Sequence, residues 1–175
     1  ATGRVGVIVP TGIATDDTTK HFFADLVDRE SLVSLYDFEN RLAIFPGVHR
    51  SHKFSLLTLS GDHSPVEAVE FVFFALGVSD LDDPEKRFSL NRGELWALNP
   101  HTGSVPIFRS RRDVRIATEV AERLGPLVDP ADPNLGWGFR YKELIHLSHD
   151  AAFFADYEFP VSGGSLPVIE AKSCW

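Results

Sequence analysis

The chain has 175 residues, 17 Lys plus Arg against 25 Asp plus Glu, a net charge of −8 and 43% hydrophobic residues. Those values describe a folded globular protein of one domain or slightly more, not a disordered, collagenous or coiled-coil chain. They also argue against a dedicated basic nucleic-acid binder, so any nucleic-acid contact has to come from a local cationic patch on an acidic body.

The single cysteine, Cys174, permits no intrachain disulfide, which fits a reducing cytosol. No apolar run approaches the ~18 residues of a membrane helix, and the N-terminus lacks the basic start of a signal peptide. A cytoplasmic protein without membrane attachment is the expectation. A buried-type strand at residues 3–9 and a structured-looking stretch at 166–172 both predict a piece of something larger.

In chain order, Val5-Gly6-Val7-Ile8-Val9 is an unalternating β-branched run closed by Pro10-Thr11-Gly12. It predicts a strand covered on both faces, as in parallel sheets. Phe22, Phe23, Leu26 and Val27 have helical spacing behind acids at 16 and 17, and that helix should end near Arg29-Glu30. Residues 31–38 predict a second strand. Residues 40–53 predict a polar, basic loop with one apolar island, Ala43-Ile44-Phe45-Pro46, and 54–59 a third strand.

Residues 64–76 carry conflicting signals. Ser64-Pro65-Val66-Glu67 has the form of a capping box, while 69–76 is aromatic and β-branched. A short turn, then a strand at 68–76 in a hairpin with the third strand, is the reading adopted. Asn91-Arg92-Gly93-Glu94 caps a short helix with Leu95, Trp96 and Leu98. Residues 113–124 predict an amphipathic helix stopped by Gly125-Pro126. The turn-rich DPADPNLGW at 129–137 is a candidate boundary.

Two basic clusters stand out, His49-Arg50-Ser51-His52-Lys53 and Arg109-Ser110-Arg111-Arg112 with Arg115. Guanidinium forks match phosphate oxygens, but solvated surface is the commoner role of such clusters. The H-x-x-H pairs 49/52 and 146/149 lack further ligands, so no metal site is expected. No phosphate loop, dinucleotide fingerprint or nucleophile elbow is present, which leaves a small-molecule hydrolase as the weakest reading. Phe45-Pro46 is either an aromatic base platform on a stiff mount or a plug under the loop, and spacing alone favours the plug.

The run GRVGVIVPTGIATDDTTKHFFADL, then SLYDFENR, then IFPGVHRSHKFSLLTLSG, resembles the large N6-adenine DNA methyltransferases of fused type IIG restriction–modification and phage-defence systems. LNPHTGSVPIFRSRRD resembles the stretch after their catalytic core. WGFRYKELIHLSHDAAFF and LPVIEAKSCW resemble segments that lead into target recognition. The resemblance spans nearly the whole chain in the family's order.

It implies an α/β fold: the second half of a Rossmann-like S-adenosylmethionine-dependent methyltransferase sheet over 1–76, with an α+β extension over 77–175 toward an absent target-recognition domain. Residues 5–10 would be the strand after the catalytic loop, and 31–37 and 54–59 the last two strands. Phe45, with Pro46, would stack on a flipped-out adenine. Arg50, Lys53, Arg109, Arg111 and Arg112 would meet the DNA backbone.

The family's glycine-rich cofactor loop and its Asn/Asp-Pro-Pro-aromatic motif are both missing. Asn99-Pro100-His101-Thr102 lacks the second Pro and the ring, and Asp129-Pro130 and Asp132-Pro133 fail likewise. S-adenosylmethionine is therefore expected in the parent enzyme and not in this chain alone, to which no catalytic residue is assigned. The implied partners are double-stranded DNA, the remaining methyltransferase and target-recognition segments, and a second copy through an exposed sheet edge. The alternative is a non-catalytic, methyltransferase-like interaction module that pairs with another subunit.

Overall fold

A computed structural model describes residues 3–61, 64–126 and 137. Five strands form one mixed sheet: β1 (Arg4–Pro10), β2 (Leu32–Glu39), β3 (Lys53–Ser60), β4 (Ala68–Ala75) and β5 (Phe88–Asn91), in spatial order β1-β3-β2-β4-β5. Strand β3 lies antiparallel between β1 and β2, β4 runs parallel to β2, and β5 is antiparallel to β4. Strands β1, β2 and β4 therefore share one direction, and their carboxyl ends lie along one edge of the sheet. Pro10, Phe54, Phe38 and Ala75 pair in succession along that edge.

One sheet face carries the main core. Leu35, Leu57, Val69, Phe71, Phe73, Phe88 and Leu90 are buried there. Phe23, Leu26 and Val27 of helix α2 (Lys20–Asp28) join the same cluster, with Leu95 of α3 (Arg92–Leu98) and Val114 of α4 (Arg111–Leu124). The short helix α1 (Gly12–Thr15) adds Ala14. Phe71, Phe73 and Phe88 stack with centroids 5.7 to 6.1 Å apart. A smaller cluster of Phe38, Phe54, Val72 and Ala75 covers part of the other face. Packing is continuous across residue 76: β5 pairs with β4, and Leu90, Leu95, Val105 and Val114 enter the core that α2 fills.

The helix caps match their sequence signals. Asn91 accepts from the Glu94 N–H at 3.0 Å, and the Glu94 carboxylate accepts from the Asn91 N–H at 2.7 Å. Helix α2 stops where Glu30 takes a left-handed φ of 52° and the Ser31 N–H reaches back to the Leu26 carbonyl at 3.0 Å.

Three expectations are corrected, and one strand was not foreseen. Strand β4 forms no hairpin with β3, because both edges of β3 are already occupied by β1 and β2; it pairs with β2 instead. Among the described residues β1 is an edge strand, antiparallel to its neighbour, with Val5, Val7 and Ile8 at 54%, 41% and 59% exposure. Residues 88–91 form a strand too short for its period to stand out, in which Phe88 and Leu90 turn inward and Ser89 and Asn91 outward. Helix α4 begins at Arg111 and buries only Val114, leaving Ile116, Val120 and Leu124 exposed. The boundary expected at 129–137, the His146 and His149 pair, Cys174 and the segments resembling target recognition lie outside the described residues, Trp137 apart. Among the described residues no helix is long and apolar enough to cross a membrane.

Candidate nucleic-acid interface

Among the described residues, the carboxyl edge of β1, β2 and β4 brings together the 40–52 loop, a buried carboxylate and two cations on one ring. In open α/β sheets ligands bind outside that edge. After β2 the chain enters the 40–52 loop, and one residue shapes it. Asn40 is completely buried. Its amide oxygen accepts the Phe45 N–H at 2.9 Å, and its NH2 group donates to the carbonyls of Phe45 and Val48, each at 2.9 Å. One side chain thereby fixes both polar groups of the Phe45 backbone, much as a strand partner would.

The Phe45 ring rests edge-on against Phe54, centroids 4.9 Å apart at 74°, and Phe54 stacks flat on Phe38 at 5.3 Å. Phe45 is 37% exposed, so the ring is braced on one side and open on another. Spacing alone favoured a core plug, and the ring is not sealed. Pro46 is exposed beside it, and Leu42, Ile44 and Val48 are exposed on the same loop.

Beneath the loop runs a buried polar chain. The Ser55 hydroxyl donates to Thr11 at 3.2 Å, and Thr11 donates to the Asp37 carboxylate. The second Asp37 oxygen accepts the Phe74 N–H at 3.3 Å. Asp37 is wholly buried, and that burial pushes its carboxyl up from the usual value against the opposing pull of Thr11, the Phe74 N–H and Lys53. Among the described residues no buried side-chain polar atom lacks a hydrogen-bond partner.

Phe74 sits in a β-bulge. Tyr36 pairs with Val72 and Phe38 with Ala75, so Phe73 and Phe74 together oppose Asp37. Its φ is +58°, a conformation bulky side chains avoid. The Lys53 ammonium lies 4.4 Å from the centre of the Phe74 ring, and the Arg109 guanidinium 4.3 Å from it.

Of the expected contact residues, Lys53 and Arg109 thus share one ring, while Lys53 directly precedes Phe54, on which Phe45 rests. Arg50 braces the loop by donating to the Arg41 carbonyl at 2.7 Å. Arg112 is exposed on the first turn of α4. Arg111 lines a separate cavity of about 520 Å³ between β5 and α4, in company with Glu94, Glu119 and Glu122. Sequence reasoning missed Asn40, Thr11, Asp37 and Phe74. A carboxylate inside the apolar run LVSLYDFE and an Asn just after it were the available signals; nothing in the sequence announces the bulge.

The turn after β1 holds one glycine, Gly12, where a Cβ would meet the Asp16 carboxylate. Asn99 spends its amide on the Ser104 hydroxyl at 2.7 Å, inside a turn that closes α3. His49 bonds Ser51 at 2.8 Å, and no cluster of three metal-ligating side chains occurs among the described residues. Comparison with protein-family models, curated proteins and solved structures gives no match.

Proposed function

We propose that the chain is part of a DNA adenine-N6 methyltransferase of the restriction–modification or phage-defence kind, contributing the target-adenine pocket and DNA contacts. The observation that carries this reading is the half-open Phe45 ring, held by Phe54 on one side and by Asn40 through its backbone. Such a mount suits a base drawn out of a duplex, because stacking needs a flat apolar face already fixed in place. Pro46 stiffens the mount. Arg50, Lys53, Arg109, Arg111 and Arg112 are the cations assigned to the DNA backbone.

The β1 sequence adds support. A strand that reads as covered on both faces, yet lies bare at a sheet edge, suits the junction with the cofactor-holding half of a Rossmann-like sheet. In that reading S-adenosylmethionine belongs to the parent enzyme, and the other methyltransferase and target-recognition segments are partners of this one.

The test uses two duplexes, one fully paired and one with an adenine opposite an abasic site, which lowers the cost of extrusion. The chain should prefer the second. Phe45→Ala should erase the preference and Phe45→Trp retain it. Since stacking contributes about 1–3 kcal/mol per base, roughly five- to 150-fold in affinity is at stake. Equal affinity for both duplexes would reject the reading.

The same bare strand favours a second reading, a non-catalytic module whose β1 pairs with another subunit or a second copy. Light scattering separates them: a concentration-dependent dimer abolished by Val7→Lys supports the module, and a monomer at high concentration counts against it.

A further inference from the structure

We propose that Lys53, Phe74 and Arg109 form a built clamp for the phosphodiester backbone of a nucleic-acid strand. The inference rests on the nucleic-acid reading above, and deepens it by naming a second group of residues, centred on the Phe74 ring.

Three independent features meet at Phe74. The β-bulge opposite Asp37 breaks the alternation of β4 and re-aims the Phe74 ring, as bulges beside binding sites commonly do. The left-handed φ of +58° is unfavourable for a phenylalanine and persists because the buried Asp37 carboxylate holds the Phe74 N–H. The ring so placed carries two cations, at 4.4 Å and 4.3 Å from its centre.

Two like charges on one ring repel each other, and the π face offsets only part of that cost. Among the described residues Arg109 has no carboxylate partner. Lys53 lies 3.6 Å from Glu39, which makes its closer contact with Arg41 at 2.9 Å, and it also faces the charge of the buried Asp37 carboxylate. Arg109 is thus the cation of the pair left without an opposite charge, on a protein whose net charge is −8. Arg109 lies in the segment just before α4 and Lys53 at the start of β3, so the clamp ties two distant parts of the chain at the carboxyl edge. A polyanionic strand supplies the missing charge with successive phosphates. An acidic peptide would have to deliver its carboxylates at the same spacing while losing contact with the aromatic loop next to it.

A strand whose every nucleotide is abasic keeps the phosphates and removes the bases, so it separates the clamp from Phe45. Its affinity for the chain is measured by fluorescence anisotropy against salt concentration. Lys53→Gln and Arg109→Gln should each weaken binding and reduce the salt slope by about 0.7. Arg109→Lys should keep the slope, and Glu39→Gln should tighten binding by releasing Lys53. Circular dichroism verifies that each variant is folded.

An unchanged slope in both glutamine variants overturns the clamp, whatever the orphan-adenine duplex does. Equal affinity of the wild-type chain for the two duplexes, with the salt slope reduced in both glutamine variants, overturns the base platform and leaves the clamp standing. In a parallel arm at matched ionic strength, inorganic phosphate should displace the strand only weakly. Full displacement that depends on Lys53 and Arg109 would assign the site to free phosphate and overturn the strand proposal.

Discussion

Removing the Asn40 amide should loosen the 40–52 loop while leaving the sheet intact. Asn40→Ala deletes three hydrogen bonds of 2.9 Å, each with a net contribution of about 1 kcal/mol. Phe45 and Val48 are exposed, so water can reach part of the freed backbone, and the expected loss is about 2 kcal/mol. In a protein of this size that lowers Tm by roughly 4–8 °C. Asn40→Asp keeps the acceptor for the Phe45 N–H but turns a buried carboxylate oxygen toward two carbonyls, at a cost of about 3–5 kcal/mol. Urea unfolding of the three proteins gives the order wild type, Ala, Asp. Asn40→Ala should also lose the preference for an unpaired adenine, although the Phe45 ring is still present. A change below about 0.5 kcal/mol for Ala, or an Asp variant as stable as Ala, would refute this account of the loop.

Other outcomes follow from the same geometry. Arg87 forks onto Glu70 at 2.6 and 2.8 Å and holds that carboxyl below its usual value of 4.5, so the pair stabilises the fold above pH 4.5 and loses that contribution as pH falls through the lowered value. Because both groups are more than a third exposed, Glu70→Gln should cost only about 1 kcal/mol at neutral pH, and the difference from wild type should shrink in acid unfolding series. Asp37 has the opposite sign: burial raises its value above 3.8, so its contribution is most favourable below 3.8 and declines as pH rises through the raised value. Wild type should therefore lose ground relative to Asp37→Asn over that window, and parallel stability curves would contradict the assignment. Gly103 has a φ of +60°, and a Cβ there would press on the Trp96 ring at 3.0 Å. Gly103→Ala should cost about 2 kcal/mol in urea unfolding, against near-neutrality if the turn can relax. Calorimetry with S-adenosylmethionine should give no saturable heat from this chain, because the glycine-rich loop of the methyltransferases it resembles is missing, and a tight one-to-one complex would refute that expectation.

The fold was legible where a pattern was long enough to state its period. Strands β1 to β3 and helices α2 and α4 follow from β-branched runs and helical spacing, and Asn91 with Glu94 announces α3. Pairing was less legible, because it is decided by which edges remain free. Residues 68–75 could be recognised as a strand, but their partner depended on β1 occupying the far side of β3. The two sides of β1 were misjudged for a related reason: composition records what a strand can bury, while exposure depends on what lies beside it. Phe45 was singled out by its place in a basic loop, where spacing favoured a core plug and the resemblance to DNA methyltransferases implied a base platform; its exposure rules out the sealed plug. Asn40, Asp37 and Phe74 act through backbone groups and a bulge, which single residue types do not encode.

The central claim is that Phe45 receives an extruded adenine, and photocrosslinking tests it most directly. A duplex bearing 8-azidoadenine opposite an abasic site is irradiated in complex with the chain, and adducts are located by mass spectrometry. The account predicts modification at Phe45 and its immediate neighbours in residues 44–48, lost in Phe45→Ala. Adducts confined to other segments, with the 44–48 stretch unmodified, would contradict it.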